Sequence, residues 1–216
     1  MKGISVFLCA VFILAGTFSA NALTITPDKV TASSTFSDFY VADNLRNDSG
    51  LVGGLHDSNF KNMWLSAAIN TEVLVWATLT FELDREYSII SADIWQYNQK
   101  GVNLYQGVQY FDISSAPNNG IFSLPFLNAD LDIAPQSPND IEAQNVSFGQ
   151  AVDARYIQFD ILSNWATNPA ALPYVGLSEV KFNTATANPV PEPATLLLLG
   201  IGIVGLAGFG RKKLIK

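Results

Sequence analysis

Alternating apolar and polar positions dominate the chain between residues 73 and 182, and they predict β-strands. Across residues 73–83 the odd-numbered positions are all apolar, whereas Thr78, Thr80 and Glu82 fall on the other face. A period of two is the pattern of a half-buried strand. Residues 87–97 repeat it after a predicted turn at 84–86. Further strands are predicted at residues 107–114, 143–148, 155–162 and 174–182.

The segments between these predicted strands are rich in Asn, Pro and Gly, as at residues 116–120, 135–140 and 168–173. Such clusters mark turns and loops. No ten-residue stretch of residues 23–187 has a convincing helical period. The pattern therefore predicts an all-β domain, a jelly-roll β-sandwich, over residues 23–187.

The N-terminus has the composition of a secretory signal peptide. Lys2 precedes an apolar stretch at residues 4–15, and residues 19–22 carry a small-x-small pair. This order predicts a signal helix in residues 1–22 with cleavage after Ala22. The single cysteine, Cys9, lies inside it, so the mature chain is predicted to have neither a disulfide nor thiol chemistry.

The C-terminus combines a proline-rich spacer, an apolar run and a basic end. Residues 194–210 contain no charge, and a run of this length lies at the short end of what spans the roughly 30 Å hydrocarbon core. Four cations follow the run and favour a cytoplasmic end. A transmembrane helix is predicted at 194–210. The alternative, a buried core helix, is disfavoured by these cations: Arg211, Lys212, Lys213 and Lys216.

Charge is concentrated between these two terminal segments. Seven Lys and Arg lie between residues 28 and 192, against all 19 Asp and Glu, the last of which is Glu192 of the spacer. Nucleic acids and anionic membrane surfaces need a basic face, so the balance argues against both as partners. It suits divalent cations or neutral glycans, and an ordinary solvated acidic surface explains it equally well.

The tail VPEPATLLLLGIGIVGLAGFGRKK, which begins at Val190, resembles the PEP-CTERM sorting tail of Gram-negative bacteria that make extracellular polysaccharide. The resemblance assigns residues 188–216 to the tail. It implies export, anchoring in the inner membrane, and cleavage by the peptidase exosortase near Pro191, Glu192 and Pro193. The processed protein would then reach the cell surface or the extracellular matrix.

Seven short segments of the domain carry a second resemblance, at residues 30–34, 42–47, 63–66, 76–83, 109–114, 154–159 and 176–180. In sequence and in order they resemble the discoidin, or coagulation-factor type C, family of galactose-binding-like β-sandwiches. The resemblance places Trp64 and Trp76 in the core.

The same resemblance implies a structural Ca²⁺ between the first loop and the last strand. The ligands carried over are Asn44 through its carbonyl, Asn47, Asp48, Ser49 and Glu179, a mixture of oxygen donors that Ca²⁺ accepts. Asn47 replaces an aspartate of the family, and Asp48 or Asp57 are candidates to supply the missing charge. The alternative is an ordinary turn rich in Asn and Asp.

Aromatic residues in the predicted loops are candidates for sugar binding, because sugar sites combine apolar walls with a few polar groups. Trp165 lies beside Asn164 in a predicted loop, and sugar binding would explain an exposed tryptophan there. The alternative is that this loop folds over the end of the sandwich. The full candidate set is Phe39, Tyr40, Tyr97, Asn98, Tyr105 and Trp165.

Catalysis has little support in the sequence. A serine triad would depend on His56, the only histidine. Carboxylate pairs such as Asp93 with Asp112, or Asp130 with Asp132, are not singled out by their spacing. The prediction is a non-enzymatic, exosortase-sorted protein of the surface or matrix that binds glycan in an exopolysaccharide biofilm.

Two alternatives remain from other classes: a purely structural matrix protein without a ligand, and a glycosidase that uses two carboxylates. The partners predicted are exosortase, the general export machinery and extracellular polysaccharide, with membrane contact through the C-terminal helix.

Overall fold

Two long antiparallel strands, β6 (Ala77–Gln96) and β9 (Gln144–Ile161), form the frame of the domain. The computed structural model describes residues 23–70, 72–135 and 140–185. The predicted signal peptide, sorting motif and transmembrane helix lie outside these residues. The other strands are β1 (Thr24–Ile25), β2 (Lys29–Ala32), β3 (Leu51–Val52), β4 (Leu55–His56), β5 (Trp64–Leu65), β7 (Tyr110–Ala116), β8 (Leu127–Asp130) and β10 (Gly176–Thr184).

Short 3₁₀ helices at Ala42–Leu45, Phe60–Asn62, Gly101–Gln106 and Pro169–Ala171 are the only helices of the described residues. None of them is long and apolar enough to cross a bilayer. The predicted all-β class is confirmed.

The frame bends so that its two halves belong to opposite layers. The first half of β6 pairs with β2 and with the end of β9, which continues to β7 and β8. The second half pairs with β10 and with the start of β9, and β10 also pairs with β1 and β5. The rings of Phe81 and Phe182, one from each layer, meet at 5.4 Å between centroids. The predicted β-sandwich is therefore confirmed.

Apolar positions of β6 supply much of the core. Leu79, Phe81 and Leu83 are buried, and the polar positions between them are partly exposed, as the alternation predicts. Trp64 is fully buried, as predicted, and Trp76 packs half-buried against the core. Burial of each large apolar side chain contributes roughly 1.5–3 kcal/mol.

Three boundary predictions were wrong. Residues 73–75 are exposed and precede the strand, because ladder partners begin only at Ala77, which pairs with Ile161. The predicted turn at 84–86 is a bend within β6, which continues as one strand. The predicted gap between residues 148 and 155 is likewise a bend within β9, where Gly149 has φ +72°. Each strand stays hydrogen-bonded to its partner on both sides of the bend.

The bend defines two ends of the sandwich, which we call the terminal end and the loop end. The terminal end carries Leu23, Ala185, the β6 bend and the loop 117–126. Here the Ala185 amide donates to the carbonyl of Ser88 at 2.7 Å, and the Asn118 amide to Glu86 at 3.2 Å. The loop end carries the long connections at 33–45, 57–63, 66–70, 72–76, 97–109, 131–135, 140–143 and 162–175.

Candidate functional site

Glu179 of β10 is a fully buried carboxylate without a hydrogen-bond partner on either oxygen among the described residues. Burial, followed by the charge of Asp48, raises the pKa of Glu179 to about 8. Lys181, the Asp48 backbone and Arg46 act in the opposite direction. Because an unpaired buried charge is costly, such groups are normally neutralised or bound to a cation.

The turn after the Ala42–Leu45 helix lies against β10. The Lys181 ammonium contacts the Asp48 carboxylate at 2.6 Å, and Asp48 adopts φ +57°. This left-handed conformation is tolerated by Asp better than by most residues. The ion pair holds the turn beside the strand that carries Glu179.

Two asparagines organise this turn. The buried Asn44 side-chain amide donates to the carbonyls of Phe39, Lys61 and Met63 at 2.8–3.0 Å. The Asn47 carbonyl accepts from the Ser49 amide at 2.9 Å, which is the Asx turn that the sequence left open as the alternative. These contacts involve the side chains of Asn44 and Asn47. The resemblance assigns a different atom of Asn44 to the metal, its backbone carbonyl oxygen.

The predicted metal ligands thus lie on two adjoining segments, the turn 44–49 and β10. Asp57 accepts from the Asn59 amide and the Asn62 side chain, both at 3.0 Å, so its carboxylate is used in holding the next loop. Nowhere in the described ranges do three or more His, Cys, Asp or Glu side chains form a metal-binding group. A cation here would be held by Glu179, Asp48 and uncharged oxygens, and this donor chemistry fits Ca²⁺.

An aromatic surface lies nearby at the loop end. Its most exposed members are Phe36 (51% exposed) and Phe39 (57%), which rest edge-on against inner rings. Ring centroids are 5.5 Å apart for Phe36 and Tyr40 and 6.5 Å for Phe39 and Phe60. The surface comprises Phe36, Phe39, Tyr40, Phe60, Lys61 and Tyr174.

Backbone contacts hold the aromatic surface in place. The Phe36 amide donates to the carbonyl of Leu65 at 2.8 Å, and the Phe39 carbonyl accepts from Asn44 at 2.9 Å. The Lys61 ammonium lies 5.4 Å from the centroid of the Phe39 ring, so a cation borders the exposed rings. The surface therefore offers apolar ring faces beside hydrogen-bond donors.

The six residues predicted for sugar binding fall into two groups. Phe39 is exposed on the aromatic surface, and the buried Tyr40 supports it. Tyr97 is fully buried, and its hydroxyl donates to the Gln99 side chain, which Tyr40 also approaches. Burial, followed by the nearby Tyr40, raises the pKa of Tyr97. The buried Asn98 lies beside the carbonyls of residues 56 and 57.

The second group lies at another part of the loop end. The Trp165 amide donates to the Tyr105 carbonyl at 3.1 Å, and the half-buried indole N–H donates to the Leu131 carbonyl at 3.0 Å. Trp165 therefore folds onto the sandwich, which was the alternative left open. Tyr105 borders a hollow of about 380 Å³, formed with Ala166, Thr167, Asn168, Ala171 and Leu172.

Sequence reasoning found only Phe39 and Tyr40 of the six residues of the aromatic surface. Phe36, Phe60 and Tyr174 come from three separate loops, and only their convergence distinguishes them from other loop aromatics. A larger groove of about 1000 Å³ was also missed. Its lining includes the acidic residues Asp132, Asp140 and Glu142.

Two of the groups considered for catalysis, His56 and Asp93, make contacts within the fold. His56 is fully buried, with Nδ1 3.0 Å from the carbonyl oxygen of residue 57. Asp93 accepts from Asn145 and Asn183 on the β10 layer, whereas Asp112 lies on β7 in the opposite layer. The structure does not bring Asp93 and Asp112 together as a facing pair.

Comparison with protein families finds the PEP-CTERM protein-sorting motif at residues 189–212. The match includes Pro191, Glu192 and Pro193. This motif implies an exported protein with a C-terminal membrane anchor. No curated protein sequence matches it.

Solved structures share the fold at low sequence identity. The family 32 carbohydrate-binding module of Streptococcus pneumoniae EndoD matches with TM-score 0.51 and 12% identity, over 76% of this chain and 100% of that one. A fucose-binding module of Streptococcus pneumoniae gives 0.51 and 16%, over 78% and 99%. The lectin domain of lectinolysin, complexed with Lewis B antigen, gives 0.51 and 14%, over 73% and 92%. The predicted discoidin-like fold is confirmed.

Proposed function

We propose, for an exported chain that carries a PEP-CTERM sorting motif and a discoidin-like β-sandwich, that it is a non-catalytic glycan-binding protein. It serves the cell surface or the surrounding matrix of a bacterium that makes extracellular polysaccharide. Its glycan-binding face is the aromatic surface at the loop end. Exosortase releases the protein from the membrane by cleaving near Pro191, Glu192 and Pro193.

The exposure of two neighbouring aromatic rings carries this proposal. Phe36 and Phe39 each leave more than half of their surface in solvent, although inner rings fix them from below. A rigid ring face binds the C–H face of a sugar with little loss of side-chain entropy, because the ring is already ordered. Lys61 borders the Phe39 ring, and Gln99 contacts the Tyr40 hydroxyl, so both can supply donors for sugar hydroxyl groups.

The charge of the domain narrows the ligand class. Outside the two terminal segments the acidic residues outnumber the basic ones by more than two to one, so a strongly acidic polysaccharide is repelled. We therefore favour neutral or weakly acidic glycans. The structural neighbours support a binding role because they are named as carbohydrate-binding modules or lectin domains.

A Ca²⁺ ion is proposed as a structural support of the same end. Glu179 and Asp48 supply the charged oxygens, and the turn at residues 44–49 supplies uncharged ones. When bound, the ion neutralises the buried carboxylate. The turn is linked to the aromatic surface through Asn44, which holds the Phe39 and Lys61 carbonyls.

Affinity electrophoresis of the purified chain in mild detergent, through gels that contain bacterial polysaccharides, tests the proposal. We expect one neutral or weakly acidic polysaccharide to retard the wild-type chain. Replacing Phe36 and Phe39 by Ala should weaken retention at least about tenfold, as expected for aromatic hot spots. Val52→Ala, at an exposed residue outside the surface, is the matched control.

Two outcomes contradict the glycan proposal. If no polysaccharide retards the wild-type chain, the alternative of a structural matrix protein without a ligand is favoured. If the double variant is retarded as strongly as the wild type, the aromatic surface is not the binding face. Release of reducing ends during incubation would instead identify a glycosidase.

A further inference from the structure

The loop between β7 and β8, residues 117–126, presents apolar side chains to solvent at the terminal end. Ile121 is 71% exposed and Leu124 is 87% exposed. Residues 113–129 contain no charged side chain, in a domain that is otherwise strongly acidic. Apolar side chains exposed close together can form a contact with a partner or a membrane, unlike apolar residues scattered singly over a surface.

The fold determines the exposure of this loop. The Ser123 amide donates to the Ser115 carbonyl and the Phe126 amide to the Ile113 carbonyl, both at 2.9 Å. The Phe126 ring packs against Phe148 with centroids 5.3 Å apart. Since Phe126 fills the inward position, Ile121 and Leu124 remain outside.

The loop shares its end of the sandwich with the point where the chain leaves the domain. Asn118 contacts Glu86, and Ala185 contacts Ser88, so both contacts fall within one short part of the β6 bend. Nine steps along the chain separate Ala185 from residue 194, where the apolar run of the membrane anchor begins. Fully extended, they reach about 30 Å.

We propose that loop 117–126 is a membrane-contact loop. While the tail anchors the chain, Ile121 and Leu124 insert into the interface of the same bilayer and hold the terminal end against it. The short tether gives the loop a high effective concentration at the bilayer, so a weak apolar contact suffices. Two side chains are too small a surface for a stable protein interface, which buries roughly 1,200–2,000 Å².

The contact is apolar rather than electrostatic. Asp84 and Glu86 outnumber Arg85 in the adjoining bend, and all three are exposed. Anionic lipid should therefore weaken the contact, and added salt should not weaken it on neutral lipid. Cleavage of the tail removes the tether and with it the contact, which makes docking specific to the anchored form. The proposal depends on the membrane anchor and not on glycan binding.

The test uses the full chain with Cys9 replaced by serine, placed in phosphatidylcholine nanodiscs. Single variants Ile121→Cys and Leu124→Cys carry an environment-sensitive fluorophore, and Leu74→Cys, 81% exposed at the loop end, is the matched control. We expect lipid-attached nitroxides to quench the probes at Ile121 and Leu124 and to leave the probe at Leu74 unaffected.

Hydrogen exchange provides a second measurement of the membrane contact. Hydrogen exchange of the loop amides should be slower in nanodiscs than in the isolated exported domain. Asparagine at both Ile121 and Leu124 should abolish that difference, with a fall of at least about tenfold in the docking equilibrium, because several methylene groups are no longer buried. Equal quenching at all three probes, or self-quenching between copies without lipid quenching, overturns the proposal. Glycan retardation should be unchanged in the asparagine variant.

Discussion

The buried carboxylate of Glu179 makes the stability of the metal-free protein depend on pH in an unusual direction. Its pKa rises from an ordinary 4.5 to about 8 in the folded state. The folded protein therefore keeps a proton that the unfolded chain has lost, and stability falls as pH rises between 4.5 and 8. Each pH unit costs up to about 1.4 kcal/mol, which gives roughly 3 kcal/mol at pH 7 and about 4 kcal/mol at pH 8, where the folded-state carboxyl is itself half ionised.

Urea unfolding in chelator, followed by tryptophan fluorescence from pH 5 to pH 8, measures this effect. We expect the free energy of unfolding of the wild-type chain to fall with pH and that of Glu179→Gln to stay nearly level. The amide is neutral at every pH, so the variant should be the more stable protein at pH 8. Glu72→Gln, at an exposed carboxylate, should keep the wild-type slope.

Adding Ca²⁺ at pH 8 completes the experiment. The ion should stabilise the wild type and not Glu179→Gln, because a ligand that binds only the folded state shifts the equilibrium toward it. Parallel pH profiles of the wild type and Glu179→Gln in chelator would refute the reasoning about the buried charge. A Ca²⁺ effect that survives in Glu179→Gln would refute the assignment of the metal ligand.

Three other predictions concern the stability of the fold and can be tested by urea unfolding. Asn44→Ala removes the contacts of one side-chain amide, whose two N–H groups are shared by three backbone carbonyls, and should cost about 2–4 kcal/mol, since the orphaned groups are partly buried. Gly176→Ala should cost at least about 1–3 kcal/mol, because its Cβ would lie 2.5 Å from the Tyr97 ring. Phe159→Ala should cost about 3–5 kcal/mol through the cavity it leaves. A loss below 1 kcal/mol in any of the three would contradict the corresponding contact.

The two ends of the sandwich divide the proposed roles. At the terminal end the chain leaves the domain toward its membrane anchor. β10 connects this end with the aromatic surface. Nine residues of strand span about 30 Å, so the proposed glycan face lies about that far from the exit point. Binding of matrix glycan and contact with the bilayer are therefore compatible in one anchored molecule.

Patterns local in the chain were enough to determine the class of fold and the sorting tail. Alternation at Leu79, Phe81 and Leu83 predicts a half-buried strand because successive side chains point to opposite faces, and the burial agrees. The sorting motif is a contiguous segment, so its recognition needs no folding. Each short sequence match to the discoidin family is weak by itself, but their order along the chain was sufficient to predict the discoidin-like fold.

The tertiary structure decided the bend, the site and the exposure of particular side chains. The sequence of residues 84–86 predicts a turn, yet β6 continues through them because its partner β9 bends at the same place. Phe36 and Tyr174 are 138 positions apart in the chain and meet at 5.5 Å. Glu179 alternates along β10 like a polar surface residue, but a turn 130 residues earlier covers it. Burial and isolation of a group depend on which distant segments pack over it, and local periodicity carries no information about that packing.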